Sequence, residues 1–215
     1  MNRARRQAGF SLIEVTASIA ILSLVMVSLT QLGSTTTNAY DTSSGRTERE
    51  LEAQRALEQV VGILTAAGST TFNPPIDGVA LGTTDLRYNV ITSMVGGVPN
   101  WSNTHRLVLQ LEPGELDNGV DDDGDGLADE RQLVSILDEG ELNQRARILV
   151  KGVSELGLGE LANGVDDDGD GVIDEAGFSM HQTGDLLFIE LALDGRTSDT
   201  DQFTVEAETR TAVRN

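Results

Sequence analysis

The feature that most constrains the fold is an apolar run near the start of the chain. The 23 residues from 10 to 32 carry one charge, that of Glu14. As a helix, this run spans about 35 Å, which is enough to cross a hydrocarbon core of about 30 Å. Three arginines and no acids precede it (Arg3, Arg5 and Arg6). Arginines on this side predict that the N-terminus stays in the cytoplasm and that the rest of the chain is exported.

A small residue, Gly9, stands before the apolar run, whereas a secretory signal has its small-residue cleavage site after the run. Cleavage after Gly9 would leave the helix on the mature protein, with a new α-amine on Phe10 about 6 Å along the axis from Glu14. An ionised carboxylate costs roughly 2.5–3.5 kcal/mol near the centre of a membrane helix. The spacing therefore favours pairing of Glu14 with the Phe10 amine of a neighbouring subunit. The alternative is a signal anchor that tolerates Glu14 at the membrane interface.

The segment GFSLIEV (residues 9–15), after a short basic leader, resembles the processing site of type IV pilins and type II secretion pseudopilins. The resemblance implies cleavage between Gly9 and Phe10 by a prepilin peptidase and N-methylation of Phe10. It also implies a role for Glu14 in methylation and subunit registration, and partners among other pilins or pseudopilins that bind through the N-terminal helix. One departure is Gln31, which stands where many major pilins have proline.

The next part of the chain predicts a continuation of the helix. Residues 46–66 carry an apolar stripe at Ala53, Leu57, Val60 and Leu64, with the spacing of one helix face. One helix of roughly 85 Å results if the polar stretch 33–45 is also helical. The Ser/Thr cluster and glycine in that stretch leave this open.

After residue 68 the apolar pattern changes to a period of two, which predicts antiparallel strands. The predicted strands are Leu86–Ile91, Leu107–Leu111, Leu133–Leu137, Ile148–Val150, Leu186–Leu193 and Phe203–Glu206. We therefore expect an α+β, pilin-like fold, in which a long N-terminal helix with a transmembrane first half packs on an antiparallel β-sheet head. The predicted parts are a leader (1–9), a membrane segment (10–32), the soluble half of the helix (33–67) and a β-rich periplasmic head (68–215).

This layout, with its RxLEQ-like helix and the ending TRTAVRN, resembles minor pseudopilins of the GspJ type and minor pilins of the PilW type. It implies a structural subunit of a type II secretion pseudopilus, with a minor pilin of a type IV pilus or DNA-uptake system as the alternative. The expected location is the inner membrane, in a single pass, and a pseudopilus or pilus after assembly. A third possibility is a calcium-dependent binding or adhesion module that uses the helix only as an anchor.

Composition excludes several other functions. The chain has 15 Lys+Arg against 35 Asp+Glu and a formal net charge of −20, so we expect no nucleic-acid partner, which would require a basic face. It has no cysteine, which excludes disulfides, thiolate zinc sites and cysteine nucleophiles. No GxSxG, HExxH or phosphate-binding glycine loop is present, so we expect a structural protein and not an enzyme. His105 and His181, the two histidines, are expected at the surface or at strand edges.

A duplicated acidic segment is the second informative feature. Residues 114–130 (GELDNGVDDDGDGLADE, here loop 1) and 159–175 (GELANGVDDDGDGVIDE, loop 2) match at fourteen of seventeen positions, with an offset of 45. Two like charges 4 Å apart repel by about 1 kcal/mol in water and about 4 kcal/mol at an effective dielectric constant of 20. A hard divalent cation would convert this repulsion into coordination. The pattern therefore predicts a calcium site in each loop region, 114–131 and 159–176.

The spacing assigns the ligands. They are Asp121, Asp123, Asp125, the carbonyl of Leu127 and Asp129 in loop 1, and Asp166, Asp168, Asp170, the carbonyl of Val172 and Asp174 in loop 2. The glutamate that ends an EF-hand loop is replaced by Gln132 or Gly177, so the loops resemble the DxDxDG repeats of thrombospondin type 3 and dockerin-like modules.

The sequence leaves open whether the asparagine at 118 or 163, or the glutamate at 130 or 175, completes each shell. The alternative to calcium binding is a pair of solvated acidic hairpin tips in which the glycines serve only as turns.

Overall fold

We analysed a computed structural model of the chain, which describes residues 11–76, 82–197 and 202–212. The elements are a helix α1 (Leu12–Ala66), a short 3-10 helix (Ser69–Thr71), and the strands β1 (Asp85–Tyr88), β2 (Ile91–Val95), β3 (Val98–Trp101), β4 (His105–Leu111), β5 (Arg131–Leu137), β6 (Arg145–Val153), β7 (Phe178–Thr183), β8 (Leu186–Arg196) and β9 (Gln202–Ala212). The chain divides into two compact units, residues 1–43 and 44–215.

The first unit contains the apolar half of α1. Every residue from 11 to 41 is exposed, and the helix is long and apolar enough to cross a membrane by length and composition. Its serine and threonine hydroxyls donate to backbone carbonyls four residues earlier, as in Ser18 to Glu14 (2.7 Å) and Thr35 to Gln31 (2.9 Å). These bonds satisfy the hydroxyls within the helix. The helix is therefore continuous through the polar stretch 33–45, where the sequence left continuity open.

In the second unit, the later part of α1 packs on the sheet with the predicted stripe. Ala53, Ala56, Leu57, Val60 and Leu64 are buried, and they share one hydrophobic core with residues of the strands. The spacing of three and four residues places all five side chains on one helix face. The antiparallel sheet expected from the alternation is thus confirmed, together with the α+β class.

The main sheet has seven antiparallel strands, and its first five neighbours lie in the order β1-β4-β5-β6-β8. Strand β7 pairs with the same edge of β8 as β6 does, and β9 pairs along the opposite edge. Strand β8 supplies a row of core side chains at alternate positions (Leu187, Ile189, Leu191 and Leu193). Their neighbours on β8 point to the opposite face because successive side chains of a strand alternate. This opposite face of β7, β8 and β9 lies near loop 2, as described below.

Two features of the head were not predicted. Strands β2 and β3 form a separate hairpin whose turn residues Gly96 and Gly97 have φ angles of 60° and 83°, as a tight hairpin turn requires. Strand β7 was missed because its sequence, FSMHQT, alternates poorly. Strands β6 and β9 are longer than the expected Ile148–Val150 and Phe203–Glu206.

Candidate metal centres in the duplicated loops

The two acidic loops occupy equivalent places after β4 and after β6. Loop 1 is closed by the pairing of Leu111 with Arg131 at the ends of β4 and β5. Loop 2 is closed by an isolated bridge between Leu156 and Ala176. The residues of the second closing pair follow those of the first by 45 positions, the same offset that separates the two loops. Neither loop is flanked by helices, as the departure from the EF-hand pattern predicted.

A glutamate near the start of each loop organises its backbone. Glu115 is buried; its Oε1 accepts hydrogen bonds from the N–H groups of Asp122 (3.1 Å) and Asp123 (2.9 Å), and its Oε2 accepts one from Asp129 (3.1 Å). Glu160 accepts the three equivalent bonds in loop 2, at 2.9, 3.0 and 3.0 Å. These two glutamates tie the start of each loop to its middle and its end. Neither glutamate was predicted to have a role from the sequence, although both lie inside the duplicated segment.

The DxDxDG residues form successive tight turns. In loop 1, Asp121 accepts hydrogen bonds from the N–H groups of Gly124 (2.6 Å) and Gly126 (2.9 Å), and Asp123 accepts one from Asp125 (3.1 Å). Asp166 and Asp168 accept the equivalent bonds in loop 2. Gly126 and its loop 2 equivalent, Gly171, have φ angles of 96° and 98°, in a region that favours glycine.

The last aspartate in each set of predicted ligands, Asp129 or Asp174, bonds to the backbone near the start of its loop. Asp129 Oδ1 and Oδ2 accept hydrogen bonds from the N–H groups of Asn118 (2.9 Å) and Gly119 (2.6 Å), and Asp174 accepts the equivalent pair in loop 2. Both aspartates have positive φ angles, 55° and 46°, which aspartate tolerates better than most residues. They hold the start of the loop, and neither belongs to a described group of carboxylates close enough to share a cation.

The glutamate that ends each loop is the most unusual group. Glu130 and Glu175 are only 1% and 2% exposed, and the Oε2 atom of each has no hydrogen-bond partner in the described part of the chain. Burial, together with repulsion by Asp125, raises the pKa of Glu130 to about 7. Burial and repulsion by Glu160 raise the pKa of Glu175 to about 7 as well. A buried carboxylate oxygen without a partner is costly unless a cation satisfies it.

These carboxylates form closely spaced groups. The ligand atoms of each group lie within 4.8 Å of one another, and the groups are Glu115 with Asp121 and Asp123, Asp123 with Asp125 and Glu130, Glu160 with Asp166 and Asp168, and Asp168 with Asp170 and Glu175. These groups thus contain the predicted ligands Asp121, Asp123, Asp125, Asp166, Asp168 and Asp170. They do not contain Asp129, Asp174 or the two residues predicted to bind through their carbonyls, Leu127 and Val172. Of the alternatives that the sequence left open, the glutamates lie beside the central aspartates. The asparagines instead bond within the loops.

The surroundings of the two loops differ in charge. Next to loop 1, Arg196 Nη1 donates to the carbonyl of Asp125 (3.3 Å), and Lys151 forms an ion pair with Glu112, which raises the pKa of Lys151. Next to loop 2 lie two acids of the sheet, Glu190 and Glu206, and burial raises the pKa of both. Loop 2 therefore lies in the more negative environment.

At the start of α1, Ser11 and Glu14 form a reciprocal capping box. The Ser11 N–H donates to Glu14 Oε2 (2.8 Å), and the Glu14 N–H donates to Ser11 Oγ (3.3 Å). Such a pair satisfies N–H groups that the first helical turn leaves free. The predicted processing residues, Gly9 and Phe10, lie outside the described residues.

Comparison with known proteins supports the interpretation of the N-terminus. Residues 4–30 match the model of the prokaryotic N-terminal methylation motif. No curated protein and no solved structure matches the chain. The motif supports a type IV pilin-like protein and implies processing by a prepilin peptidase and assembly with other pilins. With the apolar helix, it fits a structural protein anchored in a membrane by a single pass.

Proposed function

We propose that the chain is a structural subunit of a type II secretion pseudopilus, in the role of a minor pseudopilin. The observation that carries the proposal is the methylation motif at residues 4–30, which includes the apolar beginning of α1 from Leu12 onward. After cleavage at Gly9, this helix anchors the subunit in the inner membrane with its head in the periplasm. The helices of neighbouring subunits then form the core of a short filament.

The exposure of α1 supports assembly. Leu12 and Leu24 are 83% and 70% exposed, and the apolar residues between them surround the helix. A contiguous apolar surface of this size is stable only when lipid or other apolar side chains cover it. Membrane lipid covers it before assembly, and the helices of other subunits cover it in a filament.

Glu14 gives this packing a defined register. The hydrogen bonds between Glu14 and Ser11 lie within one chain. Cleavage before Phe10 creates a positive α-amine on that residue, which can pair with the Glu14 carboxylate of a neighbouring subunit. Pairing of Glu14 with the amine of the next subunit removes an isolated charge from the membrane. The register of the subunits follows from this single pair.

The system that uses the subunit is part of the proposal. The arrangement of a long helix and a mostly β head with long loops resembles minor subunits, which initiate or cap a filament. A minor pilin of a type IV pilus or DNA-uptake system has the same N-terminal requirements. The net charge of −20 weighs against direct contact with DNA.

We further propose that each acidic loop binds one calcium ion. The buried, unpartnered oxygen of Glu130 or Glu175 and the adjacent aspartates form an all-oxygen ligand set, which suits a hard cation. The ion would neutralise carboxylates that repel one another and would hold the loop to the sheet. Sites of this kind outside the cytosol bind calcium at roughly 10⁻⁴–10⁻³ M, which suits a structural ion.

N-terminal sequencing and intact-mass analysis of the protein from membranes test the assembly proposal. We expect a mature chain that begins with N-methylated Phe10. A Gly9→Leu variant, with a bulky side chain at the cleavage position, should keep the leader. A wild-type protein that retains its arginine leader would contradict the proposal.

The acidic loops favour a second candidate function, an adhesion module with a pilin-type anchor. A second experiment distinguishes this module from an assembly subunit. We expect Glu14→Gln to be processed and inserted but not recovered with sheared filaments. Ser18→Ala, which removes a polar group from the same helix without changing its charge, is the matched control. Absence of the wild-type protein from sheared filaments would support the anchor, and normal incorporation of Glu14→Gln would contradict the role of Glu14 in setting the register.

Deletion of the gene in strains that carry both filament systems then identifies the system. A loss of secreted proteins supports the pseudopilus. A loss of surface pili or of DNA uptake with intact secretion supports a minor pilin.

A further inference from the structure

One group of metal-ligating side chains differs from the acidic groups of the loops because it contains a histidine. Asp170 of loop 2, His181 of β7 and Glu190 of β8 each offer one ligand atom, and these atoms lie within 4.8 Å of one another. From the sequence alone, His181 was expected to be a surface or strand-edge residue. The proposed function does not use it.

The pairing of β7 with β8 explains how the two sheet residues meet. His181 pairs with Phe188, and Ser179 pairs with Glu190, so all four side chains lie on the same face of the sheet. His181 and Glu190 are diagonal neighbours across the two strands, within reach of each other. This face is the one opposite the hydrophobic core.

The orientation of both side chains is held by neighbours. The His181 ring stacks on Phe188, with a centroid distance of 4.8 Å and an interplanar angle of 3°. On the other side of β8, the Arg210 guanidinium lies 5.4 Å from the Phe188 centroid. Ser179 is buried, and its Oγ donates to Glu190 Oε2 (3.3 Å). The imidazole and the carboxylate are therefore positioned before any ligand binds.

The hydrogen bonding and charge of the group point to a cation. His181 Nδ1 is buried and has no hydrogen-bond partner in the described residues, although buried polar atoms are normally satisfied. Glu190 is partly buried and lies beside a second carboxylate, that of Asp170. From β9, Glu206 and Glu208 add negative charge beside Glu190: Glu208 pairs with it, and Glu206 pairs with Ala192 on the same strand.

We propose that Asp170, His181 and Glu190 form a third cation site, which binds a divalent transition-metal ion and zinc in particular. One imidazole nitrogen with two carboxylates suits zinc, whereas calcium takes oxygen ligands. Ligand atoms 2.0–2.2 Å from one ion lie at most about 4.4 Å apart, so a small rotation of these side chains closes the site. The bound ion would tie loop 2 to β7 and β8, and Asp170 would be shared between this site and the proposed calcium site of loop 2.

Loop 1 provides an internal comparison. The residue equivalent to Asp170 is Asp125, whose carbonyl accepts a hydrogen bond from Arg196. Among the described residues, the groups that contain Asp125 carry carboxylates only. We therefore expect one transition-metal site in the chain and not two.

The test uses the full-length protein without a histidine tag, in detergent and with millimolar calcium present. Cobalt(II) is titrated first as an optical probe, and zinc is then added as competitor. We expect one equivalent of cobalt with the absorption of a nitrogen-containing site, displaced by one equivalent of zinc. His181→Gln should weaken zinc binding by more than about a hundredfold, since loss of a second-shell partner alone typically costs 10–100-fold. Glu190→Gln should weaken it in the same direction.

Two matched variants serve as controls. His105→Gln removes the other histidine, and Asp125→Asn changes the loop 1 equivalent of Asp170. Both should bind zinc as the wild type does. Unchanged zinc affinity in His181→Gln, equal loss in Asp125→Asn, or displacement of zinc by calcium would overturn the proposal.

A second measurement does not depend on how the His181 variant folds. In the protein labelled with ¹⁵N-histidine, the ring signals that persist in His105→Gln belong to His181. Zinc should shift these signals in the wild-type protein with calcium present, and an unshifted His181 ring would overturn the site. This result is independent of N-terminal processing and of filament assembly, so either proposal can fail alone.

Discussion

Replacing Glu130 by glutamine should stabilise the head in the absence of calcium and have little net effect on its stability when calcium is bound. In the calcium-free protein, Glu130 is a buried carboxylate with an unpartnered oxygen, beside Asp125 and Asp123. Glutamine has nearly the same shape and no charge, so it relieves the repulsion. In the calcium-loaded protein, the same carboxylate is a proposed ligand, and its loss weakens binding.

The pKa gives the magnitude for the calcium-free protein. The pKa of Glu130 is about 7 in the folded protein, against an ordinary value of 4.5, and one pKa unit corresponds to 1.36 kcal/mol. The folded state binds the proton more tightly, so stability falls as the pH rises from 4.5 to 7 and stays lower above it. The loss is about 3 kcal/mol, which Glu130→Gln should recover at pH 8 but not at pH 4. For a chain of this size, it corresponds to a rise in Tm of about 6–12 °C.

Calcium cancels most of this gain. At a concentration of 100 times its Kd, one calcium ion adds about 2.7 kcal/mol to the free energy of unfolding. Glu130→Gln should lose most of this increment for loop 1 and keep that for loop 2. Glu175→Gln should behave in the mirrored way, since Glu175 has the same burial and a pKa raised to the same value.

Thermal unfolding by circular dichroism, on the full-length protein in detergent, measures both effects in chelator and in calcium. Glu115→Gln is the control, because both oxygens of Glu115 accept backbone N–H bonds and its loss should destabilise the protein in either solution. The reasoning is refuted if Glu130→Gln raises Tm by the same amount with chelator and with calcium. It is also refuted if the shift in chelator is as large at pH 4 as at pH 8.

Three further predictions concern the scaffold. Asp129→Ala should destabilise the head by about 1–3 kcal/mol per unsatisfied N–H group, measured by denaturant unfolding, and a variant as stable as the wild type would contradict its capping role. Leu57→Ala, in the buried face of α1, should cost about 2–5 kcal/mol, whereas the exposed Leu51→Ala should change stability by no more than about 0.5 kcal/mol; equal effects would contradict the packing. Arg106 holds the pKa of Asp85 below its ordinary value, so this pair stabilises the fold at neutral pH and loses its effect as the pH falls through the lowered pKa. Asp85→Asn should therefore lower Tm at pH 7, and its effect should shrink as the pH is lowered below 3.8, the ordinary pKa of this carboxyl; a shift in Tm that does not change with pH would contradict the ion pair.

The helix and the larger strands could be predicted because their signals are local. The apolar run from residue 10 and the stripe from Ala53 to Leu64 each repeat at helical spacing. Continuity between them could not be predicted, because Gly45 and the Ser/Thr residues favour other conformations in isolation. Hydrogen bonds such as that of Thr35 to the Gln31 carbonyl satisfy these hydroxyls within the helix.

In the acidic loops, the sequence identified the aspartates but not which of them hold the backbone and which of them lie in the carboxylate groups. Spacing assigned Asp129 and Asp174 as ligands, and the structure uses their oxygens to hold backbone N–H groups near the loop start. Glu115 accepts hydrogen bonds from three N–H groups that are seven to fourteen residues away. A periodic pattern in the sequence could not predict contacts at such distances along the chain. The one signal for Glu115 was that the duplication includes it.

The closed ends of the two loops have an evolutionary consequence. Each acidic segment leaves and re-enters the head through a single antiparallel pair, Leu111 with Arg131 and Leu156 with Ala176, and its internal hydrogen bonds recur in the other copy. A unit whose ends meet can be inserted at a turn or deleted from it while the neighbouring strands keep their alignment. The proposed ion sites would thus form a transferable unit, which a lineage can gain, copy or discard without redesigning the domain that bears it.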